Sequence, residues 1–276
     1  MLVTLKEILQ IAEEKQIAVG SFNTPNMTSL RAVIGAAEEL GQPVILMHAQ
    51  VHEEMGLCRM EEMAPVMLWF ARKATVPVCV HLDHGTDLDY VKRGLALGFT
   101  SVMYDGSVLP TAENTANTCV AVEAAKQTGA SVEAEIGSMG AREGGEGAAA
   151  SIYTDPDAAV RFVADTGIDA LACAFGTAHG FYKAQPKLDL ERLSTIHCRI
   201  AVPIVMHGGS GVSEADYREV IRRGVRKVNY YTYMAKAGGD AISGKTYAQF
   251  HDALLDAEQA MRDNVKRAIT VFAGLE

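Results

Sequence analysis

The chain lacks the features that nucleic-acid and membrane proteins depend on. Its formal net charge is −9, so it offers no basic stripe to neutralise a phosphate backbone and no attraction to an anionic bilayer. No apolar run approaches the roughly 20 residues of a membrane span. Residues 1–15 are amphipathic and carry acids, without the apolar core of a signal peptide. The five cysteines, at 58, 79, 119, 173 and 198, are odd in number, widely spaced and without a Cys-x-x-Cys pair. They exclude a disulfide framework and read as buried thiols. No internal repeat is visible beyond an alternation of strand and helix patterns. These absences predict a cytoplasmic protein with a small ligand and with neither nucleic acid nor membrane as partner.

What is present is regular. Thr4 is a candidate N-cap for a helix over 5–15, with Glu7 completing a capping box. Apolar strand patterns then follow at 17–22, 43–47, 76–81, 100–104, 131–136, 170–175, 202–206 and 225–229. Helical patterns at 28–40, 59–73, 87–97, 111–128, 155–166, 188–197 and 213–223 separate them. Strict alternation with continuous apolar strands predicts a parallel sheet covered by helices, and eight units is the closing number of a (β/α)8 TIM barrel; an open, doubly wound sheet is the runner-up. The reading is one domain over 1–276, with the barrel over about 1–235. A C-terminal helical extension follows over about 236–276, where a long pattern at 247–272 carries an apolar stripe suited to a dimer contact. Residues 140–150 contain four Gly and four Ala and predict a loop after the fifth strand.

The chemistry gathers at strand ends. Val76–Val80 runs into His81-Leu82-Asp83-His84-Gly85, and strand alternation puts His81 and Asp83 on one face while His84 leaves as the chain turns. Alone, that stretch is equally a capped turn with a hydrogen-bonded histidine. Two further apolar runs, however, end in Gly176-Thr177-Ala178-His179-Gly180 and in His207-Gly208-Gly209-Ser210-Gly211. Three imidazoles with one vacant position make a standard catalytic Zn²⁺ site. Barrel active sites lie at the C-terminal strand ends, and here those ends carry Asn23, His48, Asp83, His84, Asp105, Glu133, Glu135, His179, His207 and Asn229. The last two loops, with Gly208-Gly209-Ser210-Gly211 and Asn229-Tyr230-Tyr231-Thr232, stand where such barrels hold a phosphate.

In order, His-Leu-Asp-His-Gly, Val-Glu-Ala-Glu-Ile-Gly, Gly-Thr-Ala-His-Gly-Phe-Tyr-Lys and His-Gly-Gly-Ser-Gly-Val closely resemble the class II, metal-dependent ketose-bisphosphate aldolases, the fructose- and tagatose-bisphosphate aldolase family. The resemblance covers about 1–232 and implies a zinc-dependent, reversible cleavage of a ketose (bis)phosphate to dihydroxyacetone phosphate and an aldehyde. It implies His84, His179 and His207 as Zn²⁺ ligands, with Asp105 and Glu135 beside the metal as alternates. It assigns Asp83 to the C4 hydroxyl proton and Glu143, on the Gly-rich loop, to the C3 proton. Asn23, Gly180, Gly208, Gly209, Ser210, Asn229 and Thr232 match positions that hold the dihydroxyacetone phosphate half, where the family also binds a monovalent cation, Na⁺ or K⁺. A sugar phosphate is the implied partner, and a homodimer or homotetramer the expected assembly.

Alternatives stay open at this point. Asp83 is also what a carboxylate orienting His81 or His84 would be, and Glu143 what a solvated loop charge would be. Glu133 either supports the ligands or pairs with a lysine. Lys183 and Lys227 offer amines for a Schiff base, which a three-His site makes redundant. A metal-dependent sugar-phosphate epimerase or isomerase, or a non-catalytic phosphosugar-binding protein, would use a similar site. The family's Asp-Pro-Arg, whose Arg helps to hold a second phosphate, is absent. Ser243-Gly244-Lys245-Thr246 stands in the C-terminal segment instead, so either the aldehyde is unphosphorylated or Lys245 substitutes. Ala49-Gln50 and Tyr230-Tyr231 also depart from the family, and His48 and His52 are left without a role.

Overall fold

The computed structural model describes residues 1–137, 152–182 and 185–275. After a two-residue strand β1 (Leu2–Val3) and helix α1 (Leu5–Lys15), eight parallel strands alternate with helices. The strands are β2 (Val19–Asn23), β3 (Val44–Ala49), β4 (Val78–Gly85), β5 (Ser101–Tyr104), β6 (Ser131–Ile136), β7 (Ala170–Cys173), β8 (Ile204–Met206) and β9 (Val225–Tyr230). They are hydrogen-bonded in the order β4-β3-β2-β9-β8-β7-β6-β5, and a β4–β5 pairing closes the ring. The protein is a TIM barrel. β1, absent from the sequence expectation, pairs with β4 at Val78 and Cys79.

The helices between strands are α2 (Met27–Leu40), α3 (Gln50–Glu54), α4 (Met60–Lys73), α5 (Leu88–Leu97), α6 (Thr111–Thr128), α7 (Pro156–Thr166), α8 (Leu190–His197) and α9 (Glu214–Arg222). The short α3 was not expected. The C-terminal extension is present as two helices, not one: α10 (Thr232–Ile242) and α11 (Phe250–Phe272). The expected boundary at 235 falls inside α10. The apolar face of α11, with Val265, Ile269 and Phe272, is buried against α2, α9 and α10. That part of the stripe faces the chain's own barrel, while Phe250 and Leu255, nearer the start of α11, are exposed.

Alternation along the strands builds the barrel interior in layers. At the N-terminal end, Val19, Ile45, Cys79, Ala170 and Val205 pack with Leu5, Ile8 and Leu9 of α1, which plugs the mouth. The capping box of Thr4 and Glu7 starts that helix as expected. The next layer is polar and closed to solvent, with His81, Ser101, Glu133 and Lys227. Above it, at the strand ends, lie Asn23, Ala49, Asp83, Glu135, His207 and Asn229. The cysteine reading needs a correction: Cys58, Cys79 and Cys173 are buried thiols, but Cys119 is only half-buried and Cys198 is exposed, on the surface end of α8. Among the described residues no helix is long and apolar enough to cross a membrane.

Candidate active site

The C-terminal strand ends surround a cavity of about 410 Å³ lined by residues from Asn23 to Thr232. Asp83 and His84 enter it differently because the backbone breaks between them. The β4–β5 register shifts between Leu82 and Gly85, and His84 takes a left-handed φ of 48°, a conformation that costs a non-glycine residue and re-aims its side chain. Asp83 stays on the strand, where Asn23 Nδ2 and Asn229 Nδ2 donate to its two oxygens at 3.3 and 3.0 Å. Burial alone would raise its pKa, but His84, His207 and Lys227 hold it well below the usual carboxylate range. It is an ionised acceptor clamped by two amides.

Two of the imidazoles are fixed by what their other nitrogen does. His84 Nδ1 donates to Asp105 Oδ2 at 2.7 Å, and His207 Nε2 donates to Glu133 Oε1 at 2.7 Å. The two remaining nitrogens, His84 Nε2 and His207 Nδ1, face each other at 2.8 Å. His179 Nε2 is buried without a hydrogen-bond partner among the described residues. One donor atom from each ring lies within 4.8 Å of the other two, and His84, Asp105 and Glu135 form a second such group. Burial works against a charge on His84, but Asp83, Asp105 and Glu135 push its pKa up to about 10. Burial, with the His84 charge, holds His179 at about 3 and moves His207 the same way. The acids around His84 thus favour a proton on its ring. The donor set fits a divalent cation, since three imidazole nitrogens with oriented outer partners would satisfy the orphaned His179 nitrogen as well.

Glu133 does both of the jobs left open from sequence. Fully buried, it orients His207 and pairs with Lys227 Nζ at 2.8 Å, and His81 lies 3.6 Å away. Lys227 sits in the layer beneath the cavity and does not line it. Lys183 and Glu143 fall outside the described residues.

On the other side of the cavity, the loops after β7 and β8 come together. Tyr182 Oη accepts from Ala178 N and donates to Gly208 O, each at 2.8 Å. Gly180 and Gly208 take φ of 83° and 61°, and a Cβ on Gly208 would strike the Ala178 carbonyl. Only glycine lets these loops close up. Gly209 N donates to Asn229 O at 3.0 Å, and Ser210 Oγ accepts from Tyr231 N at 3.0 Å. Thr232 opens α10 with its N-terminus at the cavity. A serine hydroxyl and a helix N-terminus at the cavity wall are groups of the kind that bind an anion.

The comparisons with known proteins bear on this geometry. The family model "Fructose-bisphosphate aldolase class-II" matches residues 3–275. A fructose-bisphosphate aldolase of Staphylococcus aureus is 37% identical over 278 residues, covering 98% of this chain and 97% of that protein. A 6-phospho-5-dehydro-2-deoxy-D-gluconate aldolase of Halalkalibacterium halodurans is 40% identical over 243 residues, 87% of this chain and 84% of that one. The crystal structure of the YdjI aldolase from Escherichia coli K12 superposes with a TM-score of 0.89 at 33% identity, covering 99% of this chain and 97% of that one. The chain belongs to the class-II fructose-bisphosphate aldolase family.

For this family member, the structure brings together every expected site residue that it describes. Asn23, Asp83, His84, Asp105, Glu135, His179, Gly180, Gly208, Gly209, Ser210, Asn229 and Thr232 line the cavity, with His207 buried directly behind His84. His48 does not belong. It faces outward from β3, with Nε2 3.0 Å from Tyr90 Oη, because alternation puts Ala49 on the inside. Lys245 is an exposed partner of Asp256 at 2.8 Å and does not line the cavity. Sequence reasoning missed Tyr182 as the tie between loops and left His52 without a role. The phenol lay inside a quoted motif, and a buried histidine three residues past a strand end was a signal only once β3 was extended to Ala49.

Proposed function

We propose that this aldolase-family protein catalyses zinc-dependent, reversible cleavage of a ketose phosphate to dihydroxyacetone phosphate and an aldehyde. The observation that carries the reading is the convergence of three imidazole nitrogens beside an ionised, doubly clamped Asp83. In cleavage, Asp83 accepts the C4 hydroxyl proton, C4 becomes the aldehyde carbon, and the C3–C4 electron pair passes towards the C2 carbonyl. A divalent cation held by His84, His179 and His207 supplies Lewis-acid stabilisation for that charge. Asp105 and Glu133 keep the two histidines in the tautomers that aim at the ion. Gly180, Gly208, Gly209, Ser210 and Thr232 hold the phosphate, and Asn23 and Asn229 orient Asp83 towards the substrate. Glu143 is proposed to deliver the C3 proton.

Coupled detection of dihydroxyacetone phosphate across a panel of ketose mono- and bisphosphates tests the reading. Release of that product supports it. Conversion to stereoisomers alone would instead favour an epimerase or isomerase, and binding without turnover a phosphosugar-binding protein.

A further inference from the structure

His52 lies on α3, in the wall of the cavity that holds Asp83. Its ring is 5% exposed, lines the cavity, and neither nitrogen has a hydrogen-bond partner among the described residues. It leans on Tyr231, with ring centroids 4.7 Å apart and an interplanar angle of 51°. Packed in place and opening on the cavity, the ring can offer its nitrogens to a ligand's polar group. β3 pairs with β4 so that Ala49 stands across from Asp83, and the wall continues through Val51 to His52. A substrate whose C4 hydroxyl meets Asp83 can lay its remaining carbons along this wall of Ala49, Val51 and His52, beside Tyr231.

The charge along that path decides what those carbons bear. Among the described residues the cavity is lined by Asp83, Asp105 and Glu135 but by no lysine or arginine. Lys245, the one substitute for the missing arginine, is engaged with Asp256. Among the described lining residues a second phosphate dianion would meet three carboxylates and no lysine or arginine to pair with it. Burial lowers the His52 pKa, with Asp83 working the other way, so the ring is a neutral donor and acceptor that matches a hydroxyl.

We infer that His52 is the specificity-determining residue for the aldehyde half of the substrate, reading one of its hydroxyls, and that this half carries no phosphate. The inference rests on the aldolase reading and narrows it. The relatives leave the matter open, since one is named for a bisphosphate and another, at 40% identity, for a sugar acid with a single phosphate.

Two measurements test it. The first compares kcat/KM for ketose 1-phosphates with that for the same sugars as bisphosphates in the wild-type holoenzyme. A higher value for the monophosphate supports the inference, and a higher value for the bisphosphate overturns it. The second uses His52→Phe, which keeps a ring against Tyr231, beside His52→Gln, which keeps donor and acceptor. His52→Phe should lose about tenfold or more in kcat/KM for cleavage, with His52→Gln recovering part of the loss. Both should retain zinc and the exchange of the C3 proton of dihydroxyacetone phosphate with solvent, a half-reaction that does not involve the aldehyde. Cleavage unchanged in His52→Phe would overturn the role, as would a parallel fall in exchange, which would move His52 to the phosphate half. If the wild type releases dihydroxyacetone phosphate from no ketose phosphate, the aldolase reading itself has failed.

Discussion

Asp83 and His84 are sequence neighbours whose side chains do separate work because the backbone turns left-handed between them. Asp83→Ala should keep zinc while cleavage falls roughly 10²–10⁴-fold, the usual worth of a positioned acid–base group. C3 proton exchange should survive, because the C4 oxygen takes no part in it. Loss of metal from that variant would put Asp83 in the coordination shell. Alanine at His84, His179 or His207 should empty the site, and metal analysis showing full retention in any of the three would remove that residue from it. Glu133 acts one shell out. Glu133→Gln cannot balance Lys227 or accept as strongly from His207, so zinc affinity should drop about 10–100-fold; competition with a chelator of known affinity reads this directly.

At the scale of elements, three strand ends were legible because each couples an apolar run to a candidate metal ligand and a glycine. His179 and His207 could be read this way without knowing the fold. His48 misled because strand bounds set the alternation: two more residues on β3 turn His48 out and Ala49 in. The split of the tail at Ser243 was hidden because the helical pattern of 247–272 does not say where the preceding helix ends. The junction of the β7 and β8 loops was also invisible, since Tyr182 bonds to Gly208, 26 positions away. That junction predicts a cost for Gly208→Ala, which adds a left-handed penalty and a clash with Ala178 of about 1–3 kcal/mol. The melting temperature should fall by about 2–4 °C per kcal/mol, and KM for the phosphorylated substrate should rise. Equal values for variant and wild type would mean that the loops are not packed this closely. α11 joins the fold in the same way, through Phe272 O accepting from Ala18 N at 3.0 Å. We propose that barrel and extension are one cooperative domain, so deletion of 249–276 should abolish folding, and calorimetry of the full chain should show one transition.

For the whole molecule, the charge in the cage links metal, pH and stability. In the metal-free protein His84 is raised from 6.5 to about 10. Its contribution is therefore complete below pH 6.5 and fades as pH rises towards 10. Asp83 and Asp105 are held below their ordinary 3.8, so their contribution is present above that pH and is lost as pH falls below it. Burial keeps His48 neutral down to about pH 4 and His81 and His179 down to about pH 3, so their contribution is lost as pH falls below 6.5, and metal-free protein should melt highest near pH 7. Zinc must displace the His84 proton, so binding should release about one proton per ion at pH 7–8 and tighten about tenfold per pH unit. A pH-independent affinity would mean that His84 is already neutral. The central claim, that carbon–carbon cleavage depends on a metal held by three histidines at the barrel rim, is tested most directly by measuring zinc content and dihydroxyacetone phosphate release on one preparation. The account predicts one zinc per chain, loss of release in step with zinc under prolonged chelation, and recovery when stoichiometric zinc is returned. Full activity in the metal-free protein, with a substrate adduct trapped by borohydride on a lysine, would contradict it.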